Sequence, residues 1–304
     1  MKKSAPYSIK SISELHKLFN LPKPHNPLIS VADVSLFDYG KNKEVWEHFS
    51  QDFYCVSVKQ GSKCQMKYGQ RYYDFNEGVM IFTKPGQVFS VSETNDYQAT
   101  GFALFFKIDL IRNYPLGKLI NNYGFFSYDL SEALHLSETE MNVVSALIQQ
   151  IQQELKSNID TFSQDIIVSH LDLLLNYANR FYNRQFITRK PASDEVLVRL
   201  ENLLNDYFNE NIAETGLPTV QFVAQQLNLS PDYLSDMLRS ITGQTTQQHI
   251  HNKLIDKSKE LLTTTSLSIS EIAYQLGFDY PQSFNKLFKK KTDVSPSEFR
   301  QSFN

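Results

Sequence analysis

Four lysines crowd into six positions near the end of the chain: Lys286, Lys289, Lys290 and Lys291. Ammonium groups this close together attract phosphate, so the chemistry they could serve is polyanion binding. Little other reactive chemistry stands beside them. Seven histidines are present: His16, His25, His48, His135, His170, His249 and His251. A metal enzyme on a small β-barrel needs two or three histidines and a carboxylate converging on one ion. None of the seven falls between Gln51 and Leu134, where strands are expected, which argues against that chemistry. His249 and His251, two residues apart, face different sides of a helix and do not share an ion. Cys55 and Cys64 match no zinc spacing. No glycine-rich phosphate loop or nucleophile motif is found. The expectation is a protein that is not an enzyme and that uses no cofactor or metal.

Charge alone does not establish a polyanion binder. The 304 residues carry a formal charge of −3, and from Ala192 onward there are 10 basic and 14 acidic residues. The net negative charge lies before Leu217; beyond it the count is 9 basic to 8 acidic. Taken by itself, the lysine group reads as a solvated helix face, so function must rest on pattern. The length allows two domains, each with its own core. No run approaches the roughly 18 apolar residues of a membrane span, and no apolar segment follows Lys2 and Lys3. A cytoplasmic, reduced chain with no membrane association is expected.

The elements that would position the lysines are repeated. Val223, Ala224, Leu227 and Leu229 return 49 residues later as Ile272, Ala273, Leu276 and Phe278. After the turn the offset becomes 50: Pro231, Leu234, Met237, Leu238 and Arg239 match Pro281, Phe284, Leu287, Phe288 and Lys289. Each copy reads as helix, tight turn, helix. The alanines leave room for a crossing helix. Asn228 and Gly277 fall where a left-handed residue ends the first helix. Ser230 caps the next helix with Pro231 at its first position, Pro281 starts its counterpart, and Ser268 with Glu271 forms a capping box. Between the copies, Thr246 to Leu262 reads as a helix about 25 Å long. Two readers held so far apart could enter neighbouring major-groove segments, because a DNA turn is about 34 Å.

The stretch from Val220 to Arg300 resembles the AraC/XylS family of transcription regulators. The resemblance is carried by Leu229-Ser230-Pro231-Asp232-Tyr233-Leu234, Thr242-Gly243 and Ile269-Ser270-Glu271-Ile272-Ala273. It continues through Leu276-Gly277-Phe278, Ser283-Phe284, Phe288-Lys289-Lys290 and Ser295-Pro296-Ser297-Glu298-Phe299-Arg300. It implies sequence-specific binding of double-stranded DNA. It also implies base readers early on each second helix: Asp232, Ser235 and Asp236 in the first unit, with the cap Ser230 among the DNA-binding residues, and Pro281, Gln282, Asn285 and Lys286 in the second. Gln and Asn suit adenine and Lys suits guanine. Arg239, Lys289 and Lys290 would then contact phosphate. The family usually has a basic residue where this chain has Asp236; that aspartate either accepts from a cytosine or serves the helix and its surface.

The front half has a different texture. Residues from about Ile29 to Phe106 read as short strands cut by turns such as Asn76-Glu77-Gly78 and Pro85-Gly86. They resemble, more weakly, the cupin-like sensor domains fused to such regulators. The aromatic residues Phe53, Tyr54, Tyr68, Tyr72, Tyr73, Phe75, Phe82 and Phe89 fill a core or line a ligand pocket. No ligand-binding residue or ligand can be named. A capping box, Ser137 with Glu140, opens a helix, and a second helix runs from about Ser163 to Asn183 with an unusually wide apolar face. That face packs on the barrel or pairs with a second copy.

The expected architecture is α+β. A cupin-like β-barrel sensor occupies 1–133, a helical pair for packing or dimerisation 134–183, and a linker 184–193. An all-α domain with two helix-turn-helix units joined by a linker helix fills 194–304. The expected function is a DNA-binding transcription regulator controlled by a small effector in the barrel, homodimeric through residues 137–183, and meeting RNA polymerase if it activates. The alternative is an interaction scaffold that has lost direct DNA readout.

Overall fold

The computed structural model describes residues 5–60, 66–68, 71–73, 78–90, 100–157, 160–209 and 212–303. The chain divides into two compact units, Met1–Gln185 and Phe186–Asn304. Elements of the first unit, in chain order, are β1 (Tyr7–Ile9), α1 (Ile12–Leu18), β2 (Ile29–Asp33), α2 (Lys43–Glu47), β3 (Phe49–Gln51), β4 (Tyr54–Gln60), β5 (Met66–Tyr68), β6 (Arg71–Tyr73), β7 (Val79–Thr83), β8 (Val88–Phe89), β9 (Thr100–Phe106), α3 (Ile108–Ile111), α4 (Pro115–Leu119), β10 (Leu134–His135), α5 (Glu138–Lys156) and α6 (Ser163–Thr188). Among the described residues after α6, every regular element is a helix.

The main sheet has the order β10-β7-β4-β9-β2, and each of its pairs is antiparallel. Central β4 is buried on both faces. Val56 and Val58 pack on one side, while Cys55, Ser57 and Lys59 point to the other. The first side continues through Phe82, which meets Phe125, whose ring stacks on Tyr182 of α6 at 5.7 Å. The second side meets a separate core containing Ile12, Leu15, Phe19, Trp46, Phe49 and Phe105.

The expected closed barrel is not formed among the described residues. A second sheet, β1-β3-β8, and a two-stranded one, β5-β6, stand apart from the first. Strands β2 and β10 therefore remain edges, and closure would have required one to pair with the other or with these smaller sheets. Helix α2 interrupts the region expected to form strands, and α1 precedes it.

Ser137 and Glu140 form the expected capping box at the start of α5. On α6 the wide apolar face splits in two. Ile167, Leu171, Leu174, Leu175 and Ala178 are buried, whereas Phe162, just before the helix, Ile166 and Leu173 are exposed at 66, 41 and 45%. The segment expected to link the halves, 184–193, is helical on both sides of Arg189: α6 runs to Thr188, and α7 begins at Lys190.

The second unit comprises α7 (Lys190–Asn209), α8 (Ile212–Thr215), α9 (Val220–Leu227), α10 (Pro231–Thr242), α11 (Thr246–Thr264), α12 (Ile269–Gln275), α13 (Pro281–Thr292) and α14 (Pro296–Gln301). Among the described residues, no helix is long and apolar enough to cross a membrane, and no group of metal-ligating side chains converges.

Candidate nucleic-acid interface

The two helix-turn-helix units are built by the same local chemistry. In the first, α9 ends at Asn228 in the left-handed conformation, φ 57°. The Leu229 N–H then donates to the Ala224 carbonyl at 3.0 Å. In the second, Gly277 has φ 77°, and the Phe278 N–H donates to the Ala273 carbonyl, again at 3.0 Å. This is the paired closure that satisfies orphan carbonyls at a helix end. Each alanine is fully buried, as are Leu234 and Phe284 on the helices that follow. Helix α11, of 19 residues, joins the units and buries Ile250, Leu254, Ile255, Ser258, Leu261 and Leu262. Its length is about 28 Å at the usual rise per residue.

The second helix of the second unit, α13, begins at Pro281 and buries Phe284 and Phe288. Opposite them stand Gln282, Asn285, Lys286, Lys289 and Lys290, all exposed. Their numbers step by three, one, three and one, the spacing of a single helical stripe. Helix α13 therefore carries amide and ammonium donors along one solvent face. Tyr280, the residue before Pro281, makes no side-chain cap and is 70% exposed.

The first unit presents a different face. Asp232 is exposed at the start of α10. Asp236 is half-buried, and its carboxylate accepts from Arg239 Nη1 at 3.0 Å one turn on. Both ions are partly solvated, so the pair contributes little to stability, but it offsets the one cation on this stripe. Two hydroxyls of the expected site are turned inward. Ser230 is 5% exposed and accepts from the Tyr233 N–H as the helix cap. The Ser235 hydroxyl shares a 3.0 Å hydrogen bond with that of Thr246, which is fully buried. These two serines brace α10 against the turn and against α11.

A groove beside α13 holds residues that sequence reasoning did not single out. Asn285, Lys286, Lys289 and Lys290 line it from α13, and Ser295, Pro296 and Ser297 from the start of α14. No sequence signal ties Ser297 to this stripe, because the proximity arises from packing between the two helices. Glu298 caps α14, and hydrogen bonds from the Ser295 backbone and hydroxyl hold its carboxyl below the usual carboxylate range. Other basic residues serve the fold. Arg300 donates to the Leu262 and Leu267 carbonyls at 3.1 and 2.6 Å, pinning the end of α11. Lys291 reaches back to Asn252 at 3.3 Å. His251 lies near the same lysines: burial, then Lys291 and Lys290, push its pKa below the ordinary imidazole value.

Comparison with known proteins places these helices in context. A family model described as a helix-turn-helix domain matches residues 223–302. The Arabinose operon regulatory protein of Escherichia coli K12 is 27% identical over 192 residues, which cover 62% of this chain and 58% of that protein. The HTH-type transcriptional activator RhaS of Salmonella arizonae is 32% identical over 109 residues, 36% of this chain and 37% of the relative. The chain thus aligns with little more than half the length of these curated relatives, or less. Among solved structures, the C-terminal domain of AraT, a response regulator from Geobacillus stearothermophilus, is 32% identical. That match covers 35% of this chain and 84% of the other, with a TM-score of 0.32.

Proposed function

We propose, on the premise that the chain carries an AraC-type helix-turn-helix domain at its C-terminus, that the protein is a sequence-specific transcription regulator whose two units enter neighbouring major-groove segments of double-stranded DNA. The observation that carries this reading is the donor stripe on α13. Gln282 and Asn285 offer amides suited to adenine, and Lys286 an ammonium suited to guanine. Lys289 and Lys290, further along the same stripe, hold phosphate and set the register. Pro281 starts the helix so that Gln282, Asn285 and Lys286 lie in its first two turns. In the first unit, Asp232 and Arg239 face the duplex, while Ser230 and Ser235 fix the helix that presents them.

The N-terminal unit holds a small effector that biases DNA binding, which requires different ligand affinity in the two DNA-binding states. The exposed Phe162, Ile166 and Leu173 favour a homodimer through the helices of residues 137–183. The protein works in the cytoplasm, and where it activates it meets RNA polymerase. It is a regulator and not an enzyme.

The acidic first unit favours one other reading, a scaffold that no longer reads DNA. A gel shift against a random-sequence duplex pool separates the two. Selective retention that weakens steeply with salt supports the regulator, since phosphate contacts release counterions. Indifference to every duplex leaves the scaffold.

A further inference from the structure

We infer that Tyr280 is a base reader, its ring covering the 5-methyl group of a thymine in the major groove. The inference rests on the regulator reading above and adds one residue and one base to it. Tyr280 is 70% exposed, the highest value of any large apolar side chain among the described residues. Among those residues neither its ring nor its hydroxyl has a partner. Single exposed apolar side chains are ordinary on a protein surface. This one matters for the place it holds and for what it displaces there.

The internal repeat supplies the comparison. At the offset of 50 residues, Tyr280 stands where the first unit has Ser230. Ser230 is 5% exposed, and its hydroxyl accepts from the Tyr233 N–H. Helices α9, α11, α12 and α14 likewise begin on a serine or threonine that accepts from an N–H of the first turn. At α13 no side chain caps the helix. A serine there would do so. The tyrosine therefore gives up local stability without packing on its own unit in return. A local rule broken without internal compensation marks a functional position.

Position and chemistry together say what the ring meets. A recognition helix touches base edges through the residues at its N-terminal end. Tyr280 directly precedes Pro281, and Gln282, the first amide of the stripe, follows. Tyr280 and the partly exposed Pro281 thus give an apolar lead to a stripe otherwise made of amides and ammonium groups. In the major groove the thymine methyl is the apolar group that such a surface covers. Phosphate is the poorer partner. The preceding residue, Asp279, is exposed and places a negative charge at this end of the helix, which repels the backbone.

The test uses the full chain and the site that it selects from a random duplex pool. Each thymine of that site is replaced in turn by deoxyuridine, which lacks only the 5-methyl group. One replacement is expected to weaken binding about fourfold, the worth of burying one methyl group. Tyr280→Ser is expected to lose that penalty and bind the two duplexes alike, whereas Tyr280→Phe keeps it. Tyr280→Ser should also melt at or above the temperature of the parent, because the cap is restored. A lower melting temperature would give the ring to the fold and overturn the inference. A penalty that persists in Tyr280→Ser overturns it too, as does a Tyr280→Phe variant that behaves like Tyr280→Ser. A parent chain that selects a site but is blind to every methyl keeps the regulator reading and removes this one. A parent chain that selects no sequence removes both.

Discussion

Gly277 closes on Gly216 inside the helical unit: a Cβ built on Gly277 falls 3.0 Å from both Cα and the carbonyl carbon of Gly216, and 3.0 Å from the Ile212 carbonyl oxygen. Both glycines are left-handed, at φ 77 and 74°. The turn of the second helix-turn-helix unit thus seats on the backbone that follows α8, a segment preceding the first unit. Gly277→Ala should destabilise the chain by about 2 kcal/mol, adding tight contacts with backbone atoms to the strain of a left-handed alanine. Gly243 is equally left-handed, φ 76°, but open, with nothing within 4 Å of its built Cβ. Gly243→Ala should therefore cost only about 1 kcal/mol, the conformational part alone. Denaturant titrations of both variants check the difference, and equal losses would refute the packing role.

The Asp236–Arg239 pair makes the first unit a restrained partner. Asp236→Asn should free Arg239 for phosphate and remove a repulsion, tightening binding to all duplexes. The slope of log affinity against log salt should steepen by about one. Unchanged affinity and slope would place α10 away from the DNA.

On α13 the two ends of the stripe should separate. Lys290→Ala should weaken every sequence alike and flatten the salt slope by about one. Gln282→Ala should instead relax preference at one base position, at a cost of about 1–3 kcal/mol against the favoured site. Selection from a random pool, run on each variant, distinguishes them. A Gln282→Ala profile identical to the parent would mean that this side chain reads nothing.

His251 should report on bound phosphate. In the free protein, burial and the nearby Lys291 and Lys290 lower its pKa, so it is neutral at pH 7. Phosphate held by those lysines would screen their repulsion and raise the imidazole pKa. A group whose pKa rises on binding takes up a proton, so affinity should increase as pH falls through the window between the free and bound values. His251→Gln should flatten this dependence across that window. A persistent slope in that variant would assign the proton elsewhere.

The exposed apolar residues on α6 predict an oligomer. Leu173→Lys, at a position 45% exposed, should leave the fold intact and shift a dimer to monomer in sedimentation. A parent chain that is monomeric at every concentration would end the dimer reading.

Much of the reader domain is legible in the sequence because its instructions are local. Ser268 with Glu271, Asn228, Gly277 and Pro231 each act on backbone groups within a few positions, so residue type and spacing suffice to mark the helix ends. The six apolar or small positions on α11 follow from one periodicity. Of the aromatic residues read as core or pocket, Phe53, Tyr54 and Phe82 are buried and Phe89 lines a cavity. The Phe75 position and the side chains of Tyr68, Tyr72 and Tyr73 lie outside the described residues.

Other features depended on contacts between distant residues. Whether strands close a barrel is set by which edges find each other, and β2 and β10 are separated by the whole sheet. Composition could not show that Ser235 turns inward to Thr246, that Ser297 lies beside the α13 lysines, or that Lys59 shares a cavity with Trp46. Sequence alone determined the paired helix-turn-helix units, because capping and periodicity are short-range. Only the tertiary structure decided the open sheet, the inward serines and the aromatic cavity, because each arises where packing brings remote side chains together.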